Sequence, residues 1–395
     1  MNAEDLKRLA RTFGPAWLVM IADVDVASIV TGLQAGASFG YFMATVMLLL
    51  TAPLFFIQDA AGTLGTVAGL GLGEAIRRLY GRRAAVAASI PMALTDVLEY
   101  TAEYAGIAVG LKLLGLPVVP GLLAAFAVHI AVAWTGRYRH AEALLLPVSF
   151  ALVAALVASA ALRPPGAAAL EAMLSPPPLG DPGFEYMLAA SVGAVVMPWM
   201  LFFHSGADAR KGLTSADLRA ERLETLVGAL ASEVLMAITV FDGAAVGDRG
   251  VALDAGSLAG ALRPLGAAAP AVMGAGFIAA GFLALVVISL ASAWGVLEAL
   301  EVRRGTWAFR VAYLLESVPA LMVVLLGLGN LVNLMIDLMV SFTLVLAPLL
   351  YMLGRIASRE DVLGEHRLRG ARAVMYWAMS AIVVATGIAA LVLSL

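Results

Sequence analysis

The sequence predicts an all-α, polytopic membrane protein, and three observations carry this prediction. Hydrophobic residues make up 62% of the chain and charged residues only 13%, whereas soluble domains carry nearer a quarter charged residues. Apolar runs of roughly 20 residues recur from end to end, and each is long enough to cross a bilayer as a helix. The alternation with period two that marks the strands of a membrane barrel is missing from these runs.

Eleven apolar runs qualify as transmembrane helices, and we number them spans 1 to 11 in chain order. They cover residues 14–36, 41–67, 85–113, 117–136, 142–163, 185–207, 222–247, 269–299, 307–328, 331–353 and 372–394. Two connecting stretches stand out, the Pro-rich segment 164–184 and the Gly- and Ala-rich segment 248–267. Both are short for separate domains, so we expect a single transmembrane domain over residues 1–395.

Basic residues lie almost entirely on one side of the predicted spans. If the N-terminus is cytoplasmic and every span reverses the chain, all but four of the 25 Lys and Arg residues fall in cytoplasmic segments. This bias is the positive-inside rule. The N-terminal residues are polar and basic and contain no signal cleavage site. We therefore expect a multi-pass protein of the inner cell membrane with a cytoplasmic N-terminus.

Several function classes are excluded by what the sequence lacks. There is no cysteine, so disulfides, zinc–thiolate sites and thiol redox chemistry are excluded. There is no P-loop or Gly-rich phosphate-binding turn before a helix, which excludes an ATPase within this chain. We expect no enzymatic activity, no cofactor and no nucleic-acid partner, with the lipid bilayer as the surroundings. The sequence carries no signal for an oligomeric state.

Spans 1 and 6 each contain a feature that interrupts a helix. Span 1 carries Asp23 and Asp25 in its middle, and span 6 carries Pro198 directly after Met197. A proline in a helix removes a backbone hydrogen bond and clashes with the preceding turn. Two interrupted helices five spans apart predict an inverted repeat of five plus five spans with a binding site between the breaks. A simple proline kink in span 6 is the alternative.

The predicted repeats divide the chain into three parts. Repeat one covers about residues 14–163, repeat two about 185–353, and span 11, at about 372–394, is an addition. An odd number of helices in each repeat gives the two halves opposite orientations, as the inverted repeats of membrane transporters require.

The two breaks offer ligands for a cation. A carboxylate in mid-membrane is costly and marks a functional site. Asp25 supplies the charge, and Ser28 and the carbonyl group of Ala22 supply oxygen atoms. Span 6 offers the carbonyl group of Ala194 and the thioether of Met197, which shifts the preference of an oxygen site towards softer transition metals. Because the chain has 17 methionines, a packing role for Met197 is the alternative.

Span 3 carries Asp96, Glu99 and Glu103, whose spacings of three and four place them on one helical face. Three acidic side chains in contact with lipid would cost a large amount of free energy. We therefore expect them to face a cavity or partner groups. A proton relay, a hydrated cation vestibule and structural pairs are all compatible with this stripe.

More acids lie inside the predicted spans with no Lys or Arg at the same depth, and this excess favours cations or protons as cargo. They are Asp59, Glu233, Asp242 and Asp337. His204 lies seven residues after Met197, where it could titrate or form a structural hydrogen bond.

Three sequence segments carry a family resemblance. Span 1 reads GPAW…IADVDVAS…LQAGASFGY, span 6 reads MPWMLFFHS, and span 2 ends in LGTVAGLGLGEAIRRLYG. Over most of spans 1 to 10 the chain resembles the Nramp family, proton-coupled divalent metal transporters with a LeuT-like inverted repeat, whose spans 1 and 6 read roughly GPG…IAYLDPGN…LQAGA…GY and MPHN…LHS. The resemblance places Asp25 and Met197 on the metal-binding aspartate and methionine, Glu103 on a span-3 glutamate and His204 on the second histidine.

The chain also departs from the family pattern, which indicates a divergent branch. Ser28 replaces an asparagine ligand, and Trp199 replaces the histidine after the span-6 Met-Pro. Tyr100 replaces an aspartate of span 3. In span 7 Glu233 replaces an asparagine, and a span-10 glutamine maps near Ser341.

The resemblance implies a secondary transporter or facilitator that imports a divalent cation such as Mn²⁺ or Fe²⁺ through a midplane site. Because Trp199 and Tyr100 replace two groups that could take protons, we expect proton coupling to be weakened or absent. Two alternatives stay open. Extra acids such as Asp23, Glu99 and Glu233 favour a Mg²⁺ transporter of the Nramp-related type, and the same fold could carry a small organic cation or amino acid.

Overall fold

The computed structural model describes residues 12–135, 138–162, 166–246, 266–302, 307–327 and 331–393, and the regular structure in these residues is helical. The predicted loop 248–267 lies outside them except for its last two residues, as do Arg163, Arg249 and Arg263. Each of the eleven predicted runs coincides with helix. Spans 1 and 6 each consist of two helices, which we call 1a, 1b, 6a and 6b.

The bounds of the helices follow the apolar runs closely. They are 1a (Pro15–Ala22), 1b (Val26–Phe39), span 2 (Phe42–Thr63, continued as a π-helix over Leu64–Ala68), span 3 (Arg82–Leu113), span 4 (Val118–Thr135), span 5 (Tyr138–Leu162), 6a (Pro182–Gly193), 6b (Pro198–Lys211), span 7 (Leu218–Val246), span 8 (Ala269–Leu300), span 9 (Trp307–Leu325), span 10 (Leu331–Ala357) and span 11 (Gly370–Leu393). Short helices connect some of them, at Leu72–Tyr80, Ala167–Ala172 and Glu360–Leu363.

Eight helices of the described chain are long and apolar enough to cross a membrane, or nine if the bent pair 1a and 1b is one span. The apolar part of span 4 is shorter, Val118–Val132, and span 3 carries acids through its middle. The crossing count of eleven therefore stays a prediction.

Both predicted interruptions are present. Span 1 bends by 49° between its two helices, and Asp25 has extended backbone at the start of 1b, with φ −82° and ψ −178°. In span 6, Met197 is extended, with φ −106° and ψ 149°, and Pro198 is the first residue of 6b. Proline is favoured at that position because it needs no backbone donor there. Pro198 therefore starts a new helix, which excludes a simple kink.

Equivalent spans of the two repeats pack against each other. Helix 1a packs against 6b and 1b against 6a, and spans 2, 3 and 4 pack against spans 7, 8 and 9 respectively. Spans 3 and 8 are both 32 residues long and meet at Gly110 and Gly274. A Cβ atom on Gly110 would lie 2.6 Å from the Gly274 carbonyl oxygen, and one on Gly274 would lie 3.0 Å from the Gly110 carbonyl oxygen.

Two expectations about buried acids are wrong. Asp59 is neutralised, because Arg222 at the start of span 7 and Arg372 at the start of span 11 donate to its two carboxylate oxygens at 2.7 and 2.6 Å. These long side chains reach into the protein from helix ends, which span limits alone do not reveal. Asp337 is exposed and accepts a hydrogen bond of 2.6 Å from Tyr186 Oη.

The contact between spans 3 and 8 predicts a large difference between two glycine substitutions. Gly110→Ala forces these helices apart and should cost about 1–3 kcal/mol of stability, the usual range for overpacking. Gly276→Ala on span 8 is the matched control, because a Cβ there meets only Ala155 Cβ, at 3.6 Å. Thermal unfolding in detergent should show a lower midpoint for Gly110→Ala alone; equal midpoints would contradict the close approach.

Candidate functional site

Asp25 begins helix 1b and caps it. Its Oδ1 accepts a hydrogen bond of 2.7 Å from the Ser28 backbone N–H. A carboxylate at this position satisfies a free N–H group and interacts favourably with the positive end of the helix dipole. Asp25 Oδ2 is buried and has no hydrogen-bond partner among the described residues. Asp25 Oδ1 therefore binds the backbone of helix 1b, while Oδ2 can accept a further ligand or proton.

Glu103 of span 3 binds the same helix end. Its Oε2 accepts a hydrogen bond of 3.2 Å from the Val26 N–H, and its Oε1 is another buried oxygen for which the described chain supplies no partner. Gly106, nearly one turn further along span 3, makes this approach possible, because a Cβ atom there would lie only 2.8 Å from Val26 Cβ. Two carboxylates thus share the first turn of 1b.

Glu99 adds a third carboxylate. Its side chain lies against that of Asp25, and two carboxyl groups in contact can share a hydrogen bond only when one is protonated. Glu99 Oε1 accepts a hydrogen bond of 3.0 Å from the indole N–H of Trp199. The break of span 1 therefore collects three acids, two of them from span 3.

The break of span 6 lies directly beside this cluster. Ser28 Oγ donates a hydrogen bond of 3.0 Å to the carbonyl oxygen of Ala194. The indole N–H of Trp199 also points at Met197 Sδ, at 3.2 Å. Trp199 therefore links Glu99 of span 3 to Met197 of span 6.

Most of the sequence-predicted ligands are thus brought together and closed off from solvent. Asp25, Ser28, Ala194 and Met197 have zero exposure, and Ala22, the last residue of 1a, is 1% exposed. Helix 1a ends at Ala22, and the Val26 N–H that would pair with its carbonyl group in a continuous helix donates to Glu103 instead, so this carbonyl group loses its regular helical partner. Carboxylate, hydroxyl, carbonyl and thioether groups at the two breaks form a donor set that a cation can use.

Asp96 lies on the far side of Glu99, in a cluster that sequence reasoning recovered only in part. Its carboxyl group neighbours that of Glu316 in span 9. Glu316 accepts hydrogen bonds from Tyr100 Oη at 2.9 Å and Ser292 Oγ at 3.0 Å. The only sequence signal for Glu316 is an acid inside the apolar run of span 9. Tyr100, which departs from the family pattern, therefore acts as a hydrogen-bond donor to Glu316.

Asp23 and Glu233 form a third group on the side of span 7. Asp23 Oδ2 accepts a hydrogen bond of 3.2 Å from Ser232 Oγ, and the Glu233 carboxyl group lies beside it. Both oxygens of Glu233 are buried without a hydrogen-bond partner in the part of the chain that the structure describes.

These acids form one continuous chain of buried carboxyl groups. Electrostatic interactions link Glu233 with Asp23, Asp23 with Asp25, Asp25 with Glu99 and Glu103, Glu99 with Asp96, and Asp96 with Glu316. Basic side chains pair with other acids, as Arg210 does with Glu298 and Lys211 with Glu142. Burying unpaired carboxylates costs far more than these neighbouring hydroxyl groups return. This group of buried carboxyl groups must therefore be neutralised by protons or by bound cations.

His204 does not join this group. Its ring contacts Gln58 of span 2 and Glu221 of span 7. It lies seven residues after Met197 on helix 6b, which is about 10 Å along the axis. The sequence made His204, like Glu233, a candidate for the proton relay or vestibule of the span-3 acids, and the structure places His204 in a separate cluster.

Two interrupted helices related by an inverted repeat, with a candidate site between the breaks, are typical of membrane transporters with the LeuT fold. The crystal structure of the Eremococcus coleocola manganese transporter in complex with an aromatic bis-isothiourea compound matches with a TM-score of 0.80 at 20% identity, over 98% of this chain and 87% of that one. MhsT in complex with L-phenylalanine matches with a TM-score of 0.65 at 14% identity, over 96% and 98% of the two chains. At these identities the likeness concerns the fold.

Sequence comparison identifies the family. The family model for natural resistance-associated macrophage protein-like (Nramp) proteins matches residues 16–393. The divalent metal cation transporter MntH of Klebsiella pneumoniae subsp. pneumoniae is 30% identical, over 94% of this chain and 91% of the relative. MntH of Deinococcus radiodurans is 27% identical, over 96% and 89%. The chain therefore belongs to the Nramp family, whose members are membrane transporters and not enzymes.

Proposed function

We propose that this protein imports a divalent transition-metal cation, Mn²⁺ or Fe²⁺, across the inner membrane, with its N-terminus in the cytoplasm. The observation that carries the proposal is the meeting of Asp25, Glu99 and Glu103 at the two helix breaks, each with a buried oxygen to which no N–H or hydroxyl group of the described residues donates. A dication compensates several such oxygens at once. Relatives named as divalent metal cation transporters support the same substrate class.

The proposed ligands come from both breaks. Asp25 Oδ2 supplies the charge, and the carbonyl groups of Ala22 and Ala194 and the hydroxyl oxygen of Ser28 supply neutral oxygen atoms. Met197 supplies sulfur. Thioether sulfur binds softer transition metals better than Mg²⁺ or Ca²⁺, so its presence favours Mn²⁺ or Fe²⁺.

The two alternative substrates receive less support. Mg²⁺ usually keeps several water molecules and needs a wide, oxygen-lined site, whereas Met197 and Trp199 bring a thioether and a large ring to this one and both have zero exposure. An organic cation would need an aromatic face to stack on. The indole of Trp199 is instead held by Glu99 and Met197, and the match to an amino-acid-bound structure concerns fold alone.

Asp25 gives the first test of this proposal. Asp25→Asn keeps the side-chain volume and an oxygen for the Ser28 N–H but removes the charge, so Mn²⁺ uptake into proteoliposomes should fall to the level of protein-free vesicles. Asp242→Asn is the matched control, because Asp242 is a nearly buried acid of span 7 that pairs with Ser159 outside the cluster, at 2.8 Å. It should retain uptake. Uptake by Asp25→Asn close to that of the unmodified protein would place the site elsewhere.

Met197 tests the identity of the metal. Met197→Leu removes the sulfur while nearly conserving volume, so the preference for Mn²⁺ over Mg²⁺ and Ca²⁺ should fall by about tenfold, which corresponds to roughly 1.4 kcal/mol. Competition uptake assays with the three cations measure this preference. Met236→Leu, a buried methionine of span 7, controls for the general effect of the exchange. An unchanged selectivity series would make Met197 a packing residue and favour the Mg²⁺ reading.

Protons enter the cycle at the binding step. Carboxylates must lose their protons to bind a metal, so metal binding should release protons and metal affinity should fall as the pH is lowered. Transport of those protons with the metal further requires titratable groups along a route. The acids of span 3 can titrate, but two positions that could take protons according to the family resemblance hold Trp199, which cannot titrate, and Tyr100, whose hydroxyl group donates to Glu316. We therefore expect weak or absent coupling across the membrane.

A liposome assay with an internal pH dye at zero membrane potential tests the coupling. Mn²⁺ influx should proceed with little internal acidification. Metal-driven acidification that disappears in Glu103→Gln would show that a relay through span 3 survives and that the expectation is wrong. Asp242→Asn again serves as the control, because it removes a carboxyl group away from the site.

A further inference from the structure

A second group of metal-ligating side chains lies two turns further along helix 6b. It comprises His204 and Asp208 of 6b and Glu221 of span 7, and one ligand atom from each lies within 4.8 Å of the others. Their side chains are at most 1% exposed. We call these three residues the inner cluster.

The hydrogen bond between the His204 imidazole and Gln58 favours one tautomer of the ring. Nδ1 of His204 lies 3.0 Å from the carbonyl oxygen of the Gln58 side chain, so with this amide orientation Nδ1 carries the proton. Nε2 lies 3.2 Å from Glu221 Oε1 and 3.7 Å from Asp208 Oδ2, and in the neutral ring with the proton on Nδ1 it presents its lone pair to them. A nitrogen lone pair facing two carboxylates is repulsive unless a cation or a second proton lies between them.

Unsatisfied atoms point to a ligand here. His204 Nε2, Asp208 Oδ1 and Glu221 Oε2 are buried, and none has a hydrogen-bond partner among the residues that the structure describes. Lys211 is a charged neighbour of Asp208, but its ammonium group donates to Glu142 and to the carbonyl oxygen of Phe13.

Neighbouring residues also hydrogen-bond to the three side chains of the inner cluster and orient them, as is typical of metal ligands. Thr66 Oγ1 donates to Asp208 Oδ2 at 3.0 Å, and Thr225 Oγ1 donates to Glu221 Oε1 at 2.8 Å. Together with Gln58 on the imidazole, each of the three ligands has a group that orients it. Such partners fix the geometry of metal ligands and raise their affinity.

The spacing of the ligand atoms suits a small dication. Metal bonds of about 2.0–2.2 Å place neighbouring ligand atoms roughly 3.0–3.6 Å apart, close to the 3.2 and 3.7 Å observed here. Gly62 of span 2 lies directly against two of the ligand atoms, because a Cβ atom there would lie 2.0 Å from Glu221 Oε1 and 2.8 Å from His204 Nε2. Only a residue without a side chain therefore allows both atoms to keep these positions.

We propose that the inner cluster is a second binding site for a divalent first-row transition metal, separate from the site at the helix breaks. One imidazole nitrogen with two carboxylates favours Mn²⁺, Fe²⁺ or Zn²⁺ over Mg²⁺ and Ca²⁺, which prefer oxygen alone. The cluster lies towards the end of 6b that carries Arg210 and Lys211, the predicted cytoplasmic side. A role as the exit station for transported metal rests on the proposed function, whereas metal binding itself does not.

Counting bound Mn²⁺ on the purified full-length protein tests the proposal, by calorimetry and by loss of the free Mn²⁺ signal in electron paramagnetic resonance. The unmodified protein should bind two ions and Asp25→Asn one. Asp208→Asn, which keeps an oxygen for Thr66, should also bind one, and the double variant none. Excess Mg²⁺ should leave the ion of Asp25→Asn in place.

The outcomes separate the two proposals. One ion that Asp25→Asn abolishes and Asp208→Asn does not affect would overturn the inner site and make the cluster a buried arrangement of an imidazolium and two carboxylates. One ion that depends on Asp208 alone would support the inner site while the proposed transport site fails. Gly62→Ala keeps all three ligands but its Cβ would displace Glu221 Oε1 and His204 Nε2, so it should remove the same ion as Asp208→Asn. Gel filtration of each variant shows that it is folded, and retention of the ion by both folded variants would contradict the proposal.

Discussion

The burial of carboxylates at the first turn of helix 1b is the constraint on which the rest of the site depends. Asp25 and Glu103 take the Ser28 and Val26 N–H groups, so the end of one half-helix stabilises two negative charges. A continuous span 1 would use these N–H groups internally and would have none to offer. The break in span 1 therefore stabilises acids in mid-membrane. One carboxylate oxygen of Asp25 and one of Glu103 remain without a hydrogen bond from the described residues and can bind the cargo.

Close helix packing brings the second acid to this turn. Span 3 supplies Glu103 and Glu99, and it can approach 1b because Gly106 has no side chain. About one turn further along nearly the same face, Gly110 lets the same span lie against Gly274 of span 8. Small residues therefore let span 3 contact both helix 1b and span 8, as is common where helices pack in membranes. The position of the carboxylates is set by backbone contact as much as by the acids themselves.

Local patterns predicted the features that depend on one helix at a time. Pro198 and the acids of span 1 identified the breaks, and the three- and four-residue spacing of Asp96, Glu99 and Glu103 identified their common face. Features that depend on which helices meet could not be read in this way. The partnership of Glu316 with Tyr100 requires span 9 to pack on span 3, and the pairing of Asp59 requires Arg222 and Arg372 to reach it from helix ends. His204 lies on the same helix as Met197, but it contacts spans 2 and 7 and therefore belongs to a different cluster of side chains.

The departures from the family pattern act together. Tyr100 stands where the family has an aspartate, and its hydroxyl group serves Glu316, while Glu99 brings a carboxyl group to Asp25 from the preceding position. Trp199 stands where the family has a histidine, and its N–H binds both Glu99 and Met197. An indole is a donor at every pH, whereas an imidazole changes its role when it titrates. The Trp199 N–H therefore contacts Glu99 and Met197 as a donor that does not depend on pH.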